Sequence, residues 1–233
     1  MNIDTKYLAQ AREKLTDADV LTILKWTKDT FGDNVAMTTA FGYSGMVLIH
    51  HALQVFPNLK LYFIDTGYHF KETIDFCKKI TKEWNLNLET IKPTLNKSQI
   101  RKIVGKSPYK TNPDLCCHYY KVEPLLRVLH NHPAWLSGLR RDQSKTRSGI
   151  DVIEVDGRGT IKIYPLAFWT KNQTWKYVKK YKIPYHPLHD KNYPSIGCEP
   201  CTIPVGKGGD ERDGRWPDMQ KLECGIHLYN NSK

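Results

Sequence analysis

The sequence has no apolar stretch close to the roughly 20 residues that a helix needs to cross a bilayer, which predicts a soluble protein with no membrane partner. Its first residues, MNIDTKYLAQAREK, include no apolar segment of the kind found in signal peptides. We therefore expect a cytoplasmic protein in a reducing compartment, where disulfides are rare. The 233 residues also contain no low-complexity tract and no obvious interdomain linker, which favours one domain with appendages over two equal domains.

Acidic residues are in deficit. The chain has 24 Asp and Glu against 35 Lys and Arg, a formal net charge of +11. This excess favours an anionic partner, whether a nucleic acid, a nucleotide or a phosphate-bearing metabolite. A basic surface without a specific partner is the alternative.

Cysteines are few, but four of the six stand in two tight pairs, Cys116 with Cys117 in DLCCHYYKVEPL and Cys198 with Cys201 in SIGCEPCTIPV. Single buried cysteines often act as small hydrophobic residues, and Cys77, which falls within a helical pattern, fits that interpretation. Two close pairs instead favour a four-cysteine metal centre. Their spacing alone leaves both zinc and an iron–sulfur cluster open.

Two successive strand–turn–helix units follow the N-terminal helices that we predict within residues 5–31. The run NVAMTTAF leads into the glycine turn at 42–45 and then a helix, and LKLYFID leads into the turn at 65–67 and a second helix. Such units predict a mostly parallel sheet covered by helices on both faces, with ligands beyond the carboxyl ends of the strands. The Asp-Thr-Gly triplet at 65–67 does not indicate an aspartic protease, because that chemistry needs two facing carboxylates.

The remaining elements continue this pattern. NLETIKP and AWLSGL predict further strands, residues 150–166 predict a hairpin, and TKNQTWKYVKKYKI predicts an amphipathic helix. We expect residues 94–114 to form a surface loop with a short helix. Lys121 follows Cys117 by four residues, so one helix should project both from the same face. The basic turn at 140–147 fits an anion site.

The C-terminal segment differs in composition from the rest. Residues 205–233 are rich in glycine and charge and too poor in apolar residues to build a core, so we expect an α/β domain at 1–204 and a mobile tail after it. The tail carries Cys224 together with Arg212 and Arg215. A thiol on a flexible arm suits a nucleophile that must reach two partners in turn.

Seven segments, in order, carry a resemblance to a known family: TTAFGYSG, IDTGYHFKET, CCHYYKVEPL, SGLRRDQSKTR, YPSIGCEPCT, GRW and ECGIH. The chain resembles the iron–sulfur-containing bacterial assimilatory adenylyl-sulfate (APS) reductases, whose family also contains the phosphoadenylyl-sulfate (PAPS) reductases. The resemblance implies a fold like that of the adenine nucleotide alpha hydrolases (PP-loop-like). It also implies one [4Fe-4S] cluster on Cys116, Cys117, Cys198 and Cys201, with Cys224 as the nucleophile.

The same resemblance implies the reaction: thioredoxin-dependent reduction of APS to sulfite and AMP in sulfate assimilation, through an S-sulfocysteine on Cys224. The electron donor, thioredoxin or glutaredoxin, is expected to act in trans, because no redoxin domain follows before Lys233. Gly42 and the backbone of Ile64 correspond to the ribose and adenine site. The residues expected around the phosphosulfate are Lys121, Arg140, Arg147, Arg212, Arg215 and His227.

Several alternatives remain open. PAPS could replace APS or be used as well. An iron–sulfur tRNA thiolation enzyme of the same fold would carry an SGGxDS-type pyrophosphate loop, but AFGYSG stands there, which argues against ATP cleavage. No nucleic-acid partner is expected. A zinc-dependent nucleic-acid module would leave Cys224 without a role. The sequence carries no signal for oligomeric state.

Overall fold

The computed structural model describes residues 4–157, 159–217 and 219–227. Within them a six-stranded sheet has the order β3-β2-β1-β4-β6-β5, in which only the β5–β6 pair is antiparallel. This confirms the predicted mostly parallel sheet and the hairpin. The strands are β1 Val35–Thr38, β2 Leu61–Ile64, β3 Leu88–Ile91, β4 Ala134–Leu136, β5 Ile153–Val155 and β6 Ile161–Ile163.

Helices cover both faces of the sheet. Alternate residues of β1 show this, because Val35 and Met37 pack into one apolar cluster while Ala36 packs into another on the opposite face. No described helix has the length and apolarity of a bilayer-crossing segment. The helices are α1 Thr5–Leu15, α2 Val20–Phe31, α3 Tyr43–Ala52, α4 Lys71–Glu83, α5 Lys97–Val104, α6 Pro108–Thr111, α7 Pro113–Cys117, α8 Glu123–Leu129 and α9 Lys171–Lys180.

The two N-terminal helices are confirmed. The buried face of α2 combines Val20 and Leu24 with Ile23, Thr27 and Phe31 at the helical period, whereas Leu21 and Trp26 are only half-buried.

The prediction that residues 94–114 form a surface loop with one short helix is wrong. It forms α5, α6 and the start of α7, and Ile100 of α5 is fully buried against Cys116 and Tyr120. A capping box between Asn96 and Gln99 begins α5. The segment therefore packs over the first cysteine pair.

The helix predicted from Cys116 onward is interrupted by a π-helical turn, His118–Val122, between α7 and α8. A π turn inserts an extra residue per turn and often marks a functional site. Here it carries Lys121.

The described part of the C-terminal segment packs against the sheet domain. Trp216, at 2% exposure, lies in one cluster with Cys117, Cys198 and Cys201, and its backbone N–H donates to the carbonyl oxygen of Cys201 at 3.0 Å. Glu211 and Glu223 are also buried. The predicted mobility of the tail stays a prediction, and residues 228–233 lie outside the described residues.

Candidate active site

The site lies where the chain order of the sheet reverses. Strands β1 and β4 are neighbours, but the chain proceeds from them to opposite edges of the sheet, and ligands of such sheets bind in the crevice at this point. A cavity of about 250 Å³ opens there, lined by the segments that follow β1 and β4.

The turn after β1 forms one wall of this cavity. Gly42 precedes α3, and none of the described side chains caps this helix, so the free backbone N–H groups of its first turn belong to Tyr43, Ser44 and Gly45, which line the cavity. Phe41 adopts a left-handed φ of 58°, which is rare for a bulky residue, and is held there by complete burial. This turn can accept an anion.

The neighbouring wall comes from β4 and β2. A Cβ at Gly138 would lie 3.1 Å from the carbonyl oxygen of Ser44, so glycine lets the end of β4 pack closely on α3. Ile64 lines the cavity, and its carbonyl oxygen lies 2.9 Å from Nε2 of His69. Gly42 and Ile64 are thus brought to one cavity.

Four predicted cationic side chains line the same cavity: Lys121, Arg147, Arg212 and Arg215. They come from the π turn, a 3-10 turn at Lys145–Arg147 and the C-terminal segment. Among the described residues, the buried Nε atoms of Arg212 and Arg215 have no hydrogen-bond partner. Buried donors of this kind are normally satisfied, so their convergence indicates an anionic ligand.

Cys224 lines the cavity beside these cations. Burial alone would raise the pKa of its thiol, but the Lys121 ammonium, the backbone N–H of Ile226 and the Arg215 guanidinium together outweigh burial, so the net pKa lies below the ordinary value. A lowered thiol pKa enlarges the fraction of thiolate, which is the nucleophilic form.

His227 also lines the cavity. Its ring stacks on Trp135 with centroids 4.9 Å apart and planes 2° from parallel. Burial, reinforced by the charges of Arg147, Lys162 and Arg212, lowers the pKa of His227 well below its ordinary value, so the free site holds it neutral. Its Nδ1 has no hydrogen-bond partner among the described residues.

Arg140 is the one predicted substrate-binding residue that does not line the cavity. It is fully buried, and its guanidinium donates to Asp142 at 2.9 Å, to Glu211 at 2.6 Å and to the hydroxyls of Tyr43 and Ser44. In this position it supports the first turn of α3 from behind. Its predicted contact with substrate stays a prediction.

The four paired cysteines line a second, smaller cavity and all are buried free thiols. Burial, and then the neighbouring thiols, raises the pKa of Cys116 to about 12. Burial likewise raises the pKa of Cys117 to about 11, although nearby Lys121 opposes the rise. Such thiols are costly to ionise without a bound cation.

The four cysteines can be compared with the cluster that the sequence resemblance implies. No group of three His, Cys, Asp or Glu side chains in the described ranges is close enough to hold one metal ion. A [4Fe-4S] cluster has a wider ligand shell, since each of its four thiolates binds a different iron. Four buried cysteines around one cavity match that requirement.

Lys121 lines both cavities. Burial would lower the pKa of its ammonium, but the charges of Cys198, Cys224 and Cys117 outweigh this and raise it. Lys121 is therefore a cation shared between the paired cysteines and the lone Cys224.

Sequence reasoning missed two charged residues of this region. Glu223, directly before Cys224, binds two of the predicted arginines. Lys162, fully buried in β6, directs its Nζ to the carbonyl oxygen of His227 at 3.4 Å. The sequence carried a signal for each residue. Glu223 stands beside the candidate nucleophile, and Lys162 stands inside the apolar run IKI.

Comparisons with known proteins agree with this geometry. The phosphoadenosine phosphosulfate reductase domain family matches residues 34–204. Over 210 residues the chain is 44% identical to the adenosine 5'-phosphosulfate reductase of Bacillus mycoides, covering 89% of this chain and 90% of that protein.

Solved structures give the same result. The phosphoadenylyl-sulfate (PAPS) reductase of Candida auris, in a phosphate complex, has a TM-score of 0.76 at 31% identity and covers 87% of this chain and 99% of that one. The FMN adenylyltransferase of Candida glabrata has a TM-score of 0.61 at 15% identity, covering 96% of this chain and 81% of that one, a likeness that concerns the fold alone.

Proposed function

The chain belongs to the phosphoadenosine phosphosulfate reductase family, and we propose that it reduces APS to sulfite and AMP in the cytoplasm, as a step of sulfate assimilation. One observation carries the proposal. A thiol of lowered pKa and four cationic side chains meet in one cavity at the switch point of a nucleotide-binding type of sheet.

The cavity provides places for both parts of APS. The adenosine would lie against Gly42 and the backbone of Ile64, and the phosphosulfate would face Lys121, Arg147, Arg212 and Arg215. His227 would add a hydrogen bond from a ring that Trp135 already orients. Cations around the phosphosulfate reduce the repulsion that an approaching thiolate would otherwise meet.

The chemistry proposed is nucleophilic transfer at sulfur. The Cys224 thiolate attacks the sulfate sulfur, the bond from that sulfur to the bridging oxygen breaks, and AMP leaves with the electron pair. An S-sulfocysteine remains on Cys224. Arginine and lysine donors would stabilise the charge that develops on the leaving phosphate.

A dithiol donor, thioredoxin or glutaredoxin, would complete the cycle. One of its thiolates attacks Cys224 Sγ and expels sulfite, and its second thiol resolves the mixed disulfide, leaving Cys224 as a thiol and the donor oxidised by two electrons. A third cavity, of about 330 Å³, supports this step, because Cys224 lines it together with Leu115, His118 and Lys221. Cys224 thus lines two cavities, one for the nucleotide and one that a donor could enter.

The proposed [4Fe-4S] cluster would be held by Cys116, Cys117, Cys198 and Cys201. It would supply negative charge beside Lys121 and connect two segments that are far apart in the sequence. The dithiol carries the electrons. The residues of the chain fit the group because all four thiols are buried and line one cavity.

The test uses the purified holoenzyme, APS with labelled sulfate, and thioredoxin added second. We expect a labelled adduct on the Cys224 peptide before thioredoxin is added, and labelled sulfite with loss of the adduct afterwards. A label trapped on another residue, or no sulfite release from APS in the absence of ATP, would contradict the proposal, whereas sulfite release without ATP argues against the tRNA thiolation alternative.

PAPS is the second candidate substrate, because the solved relative at 31% identity is named for it. The bacterial relatives at 44% identity are named for APS, which is why we favour APS. Comparing kcat/KM for the two nucleotides in the same assay decides between them, and a higher value for PAPS would reverse the assignment.

A further inference from the structure

Glu223 occupies the arginines that the substrate is expected to use. Its carboxylate is buried and accepts from Arg147 at 2.9 Å through Nε and at 2.8 Å through Nη2, a bidentate pair. Arg212 Nη2 donates to it at 3.1 Å, and the hydroxyl of Thr146 donates at 2.9 Å. Burial would raise the pKa of Glu223, but the two arginines outweigh burial and lower it, which keeps the carboxylate ionised.

A third donor of Arg147 is also engaged. Its Nη1 donates to the side-chain oxygen of Gln143 at 2.7 Å, so each of the three nitrogens has a partner in the protein and the Nε and Nη2 donors that form the side-on pair are both taken by Glu223. Arg212 Nη2 additionally donates to the carbonyl oxygen of Leu222 at 2.9 Å. An incoming anion therefore cannot pair with Arg147 in the same bidentate way unless Glu223 gives up its place.

Repulsion between negative charges also indicates that Glu223 and an incoming anion cannot share Arg147. A carboxylate and a phosphate or sulfate group bind guanidinium through the same planar pairs of hydrogen bonds. Holding both anions in one buried pocket would place like charges together, which is costly at low dielectric. The negative charge of Glu223 also opposes ionisation of the adjacent Cys224 thiol.

We propose that Glu223 is an internal counter-ion that docks the C-terminal segment on Arg147 and Arg212 in the nucleotide-free enzyme, and that the phosphosulfate competes with it for these arginines. The inference rests on the proposed function only for the identity of the anion. Its consequence is that Glu223 weakens substrate binding, in contrast to a residue that merely positions the arginines.

Affinity distinguishes these two roles. In a Cys224→Ser background, which prevents turnover, Glu223→Gln should tighten APS binding measured by calorimetry by about tenfold, equivalent to about 1.4 kcal/mol. Inorganic sulfate, measured in parallel, should also bind more tightly. The matched control is Glu89→Gln, which removes the same charge from a surface pair with Lys60 and should leave both affinities unchanged.

Thr146→Val provides a second variant if Glu223→Gln does not fold. It removes one hydrogen bond to Glu223 without changing an arginine, and we expect APS to bind about twofold more tightly. Unchanged or weaker binding of APS and sulfate in both variants would overturn the proposal and make Glu223 a positioning residue. Failure of the proposed function would give a different result, because the wild-type enzyme would then release no sulfite from APS. The effect of Glu223 on the affinity for inorganic sulfate could still be measured in that case.

Discussion

The protein holds two kinds of cysteine site side by side, and they differ in charge rather than in residue type. At the paired site, burial and neighbouring thiols raise the pKa of Cys116 and Cys117. At the lone site, Lys121 and Arg215 overcome burial and lower the pKa of Cys224. The surrounding charges, and not burial alone, therefore set how readily each thiol ionises to the nucleophilic thiolate.

The largest expected effect separates the two sites outright. Cys224→Ser should reduce sulfite release from APS by at least about 10³-fold, because the nucleophile is lost, while iron content stays at the wild-type level. In contrast, Cys198→Ser should lower the iron content well below that of the wild type. Iron analysis and a sulfite assay on both variants check this prediction. Loss of iron in Cys224→Ser would show that Cys224 and the paired cysteines belong to the same site.

A smaller effect should follow from removing the cation that both sites share. Lys121→Met should raise the pKa of Cys224 and lower kcat/KM by about 100-fold, since the thiolate and the bound anion lose the same partner. The pH dependence of Cys224 alkylation measures the pKa. Lys97→Met, which removes an ammonium from the ring of Tyr68, is the control and should leave that pH dependence in place.

The next prediction concerns only the lone site. Arg215→Ala should lower kcat/KM at least about tenfold, or about 1.4 kcal/mol. Gly197→Ala should produce part of this loss, because a Cβ at 197 would overlap the Arg215 guanidinium. Steady-state kinetics check both, and wild-type kcat/KM in Arg215→Ala would remove this arginine from the site.

The smallest effect concerns the stability of the docked segment. In the folded protein the pKa of Glu223 is lowered, because the carboxylate pairs with the arginines. This pairing stabilises the fold fully at pH values above the unfolded pKa of about 4.3. The stabilisation is lost as the pH falls through the folded pKa. We expect the free energy of unfolding of wild type to fall more steeply below pH about 4.3 than that of Glu223→Gln. Parallel slopes in denaturant titrations across this range would contradict the assignment.

Part of the site was predictable from local signals. The glycine turn at Gly42 follows an apolar strand, and parallel strands bring their carboxyl ends to one edge, so this turn and the turn at 65–67 were expected to lie close together. Ile64 and the cationic residues were expected at this site only from the family resemblance. Seven of the eight predicted substrate residues line one cavity. Arg140 does not, because a carboxylate 71 positions away in the chain, Glu211, holds it behind α3.

The sequence by itself determined the alternation of strands and helices, the two cysteine pairs and the excess of basic charge, because these follow from periodicity and spacing over a few residues. Only the tertiary structure decided how those charges are shared. Arg147 and Glu223 stand 76 positions apart and meet in a bidentate pair, while Lys121 reaches both groups of cysteines from a π turn. Electrostatic interactions depend on distance and burial, and neither quantity exists until the chain has folded.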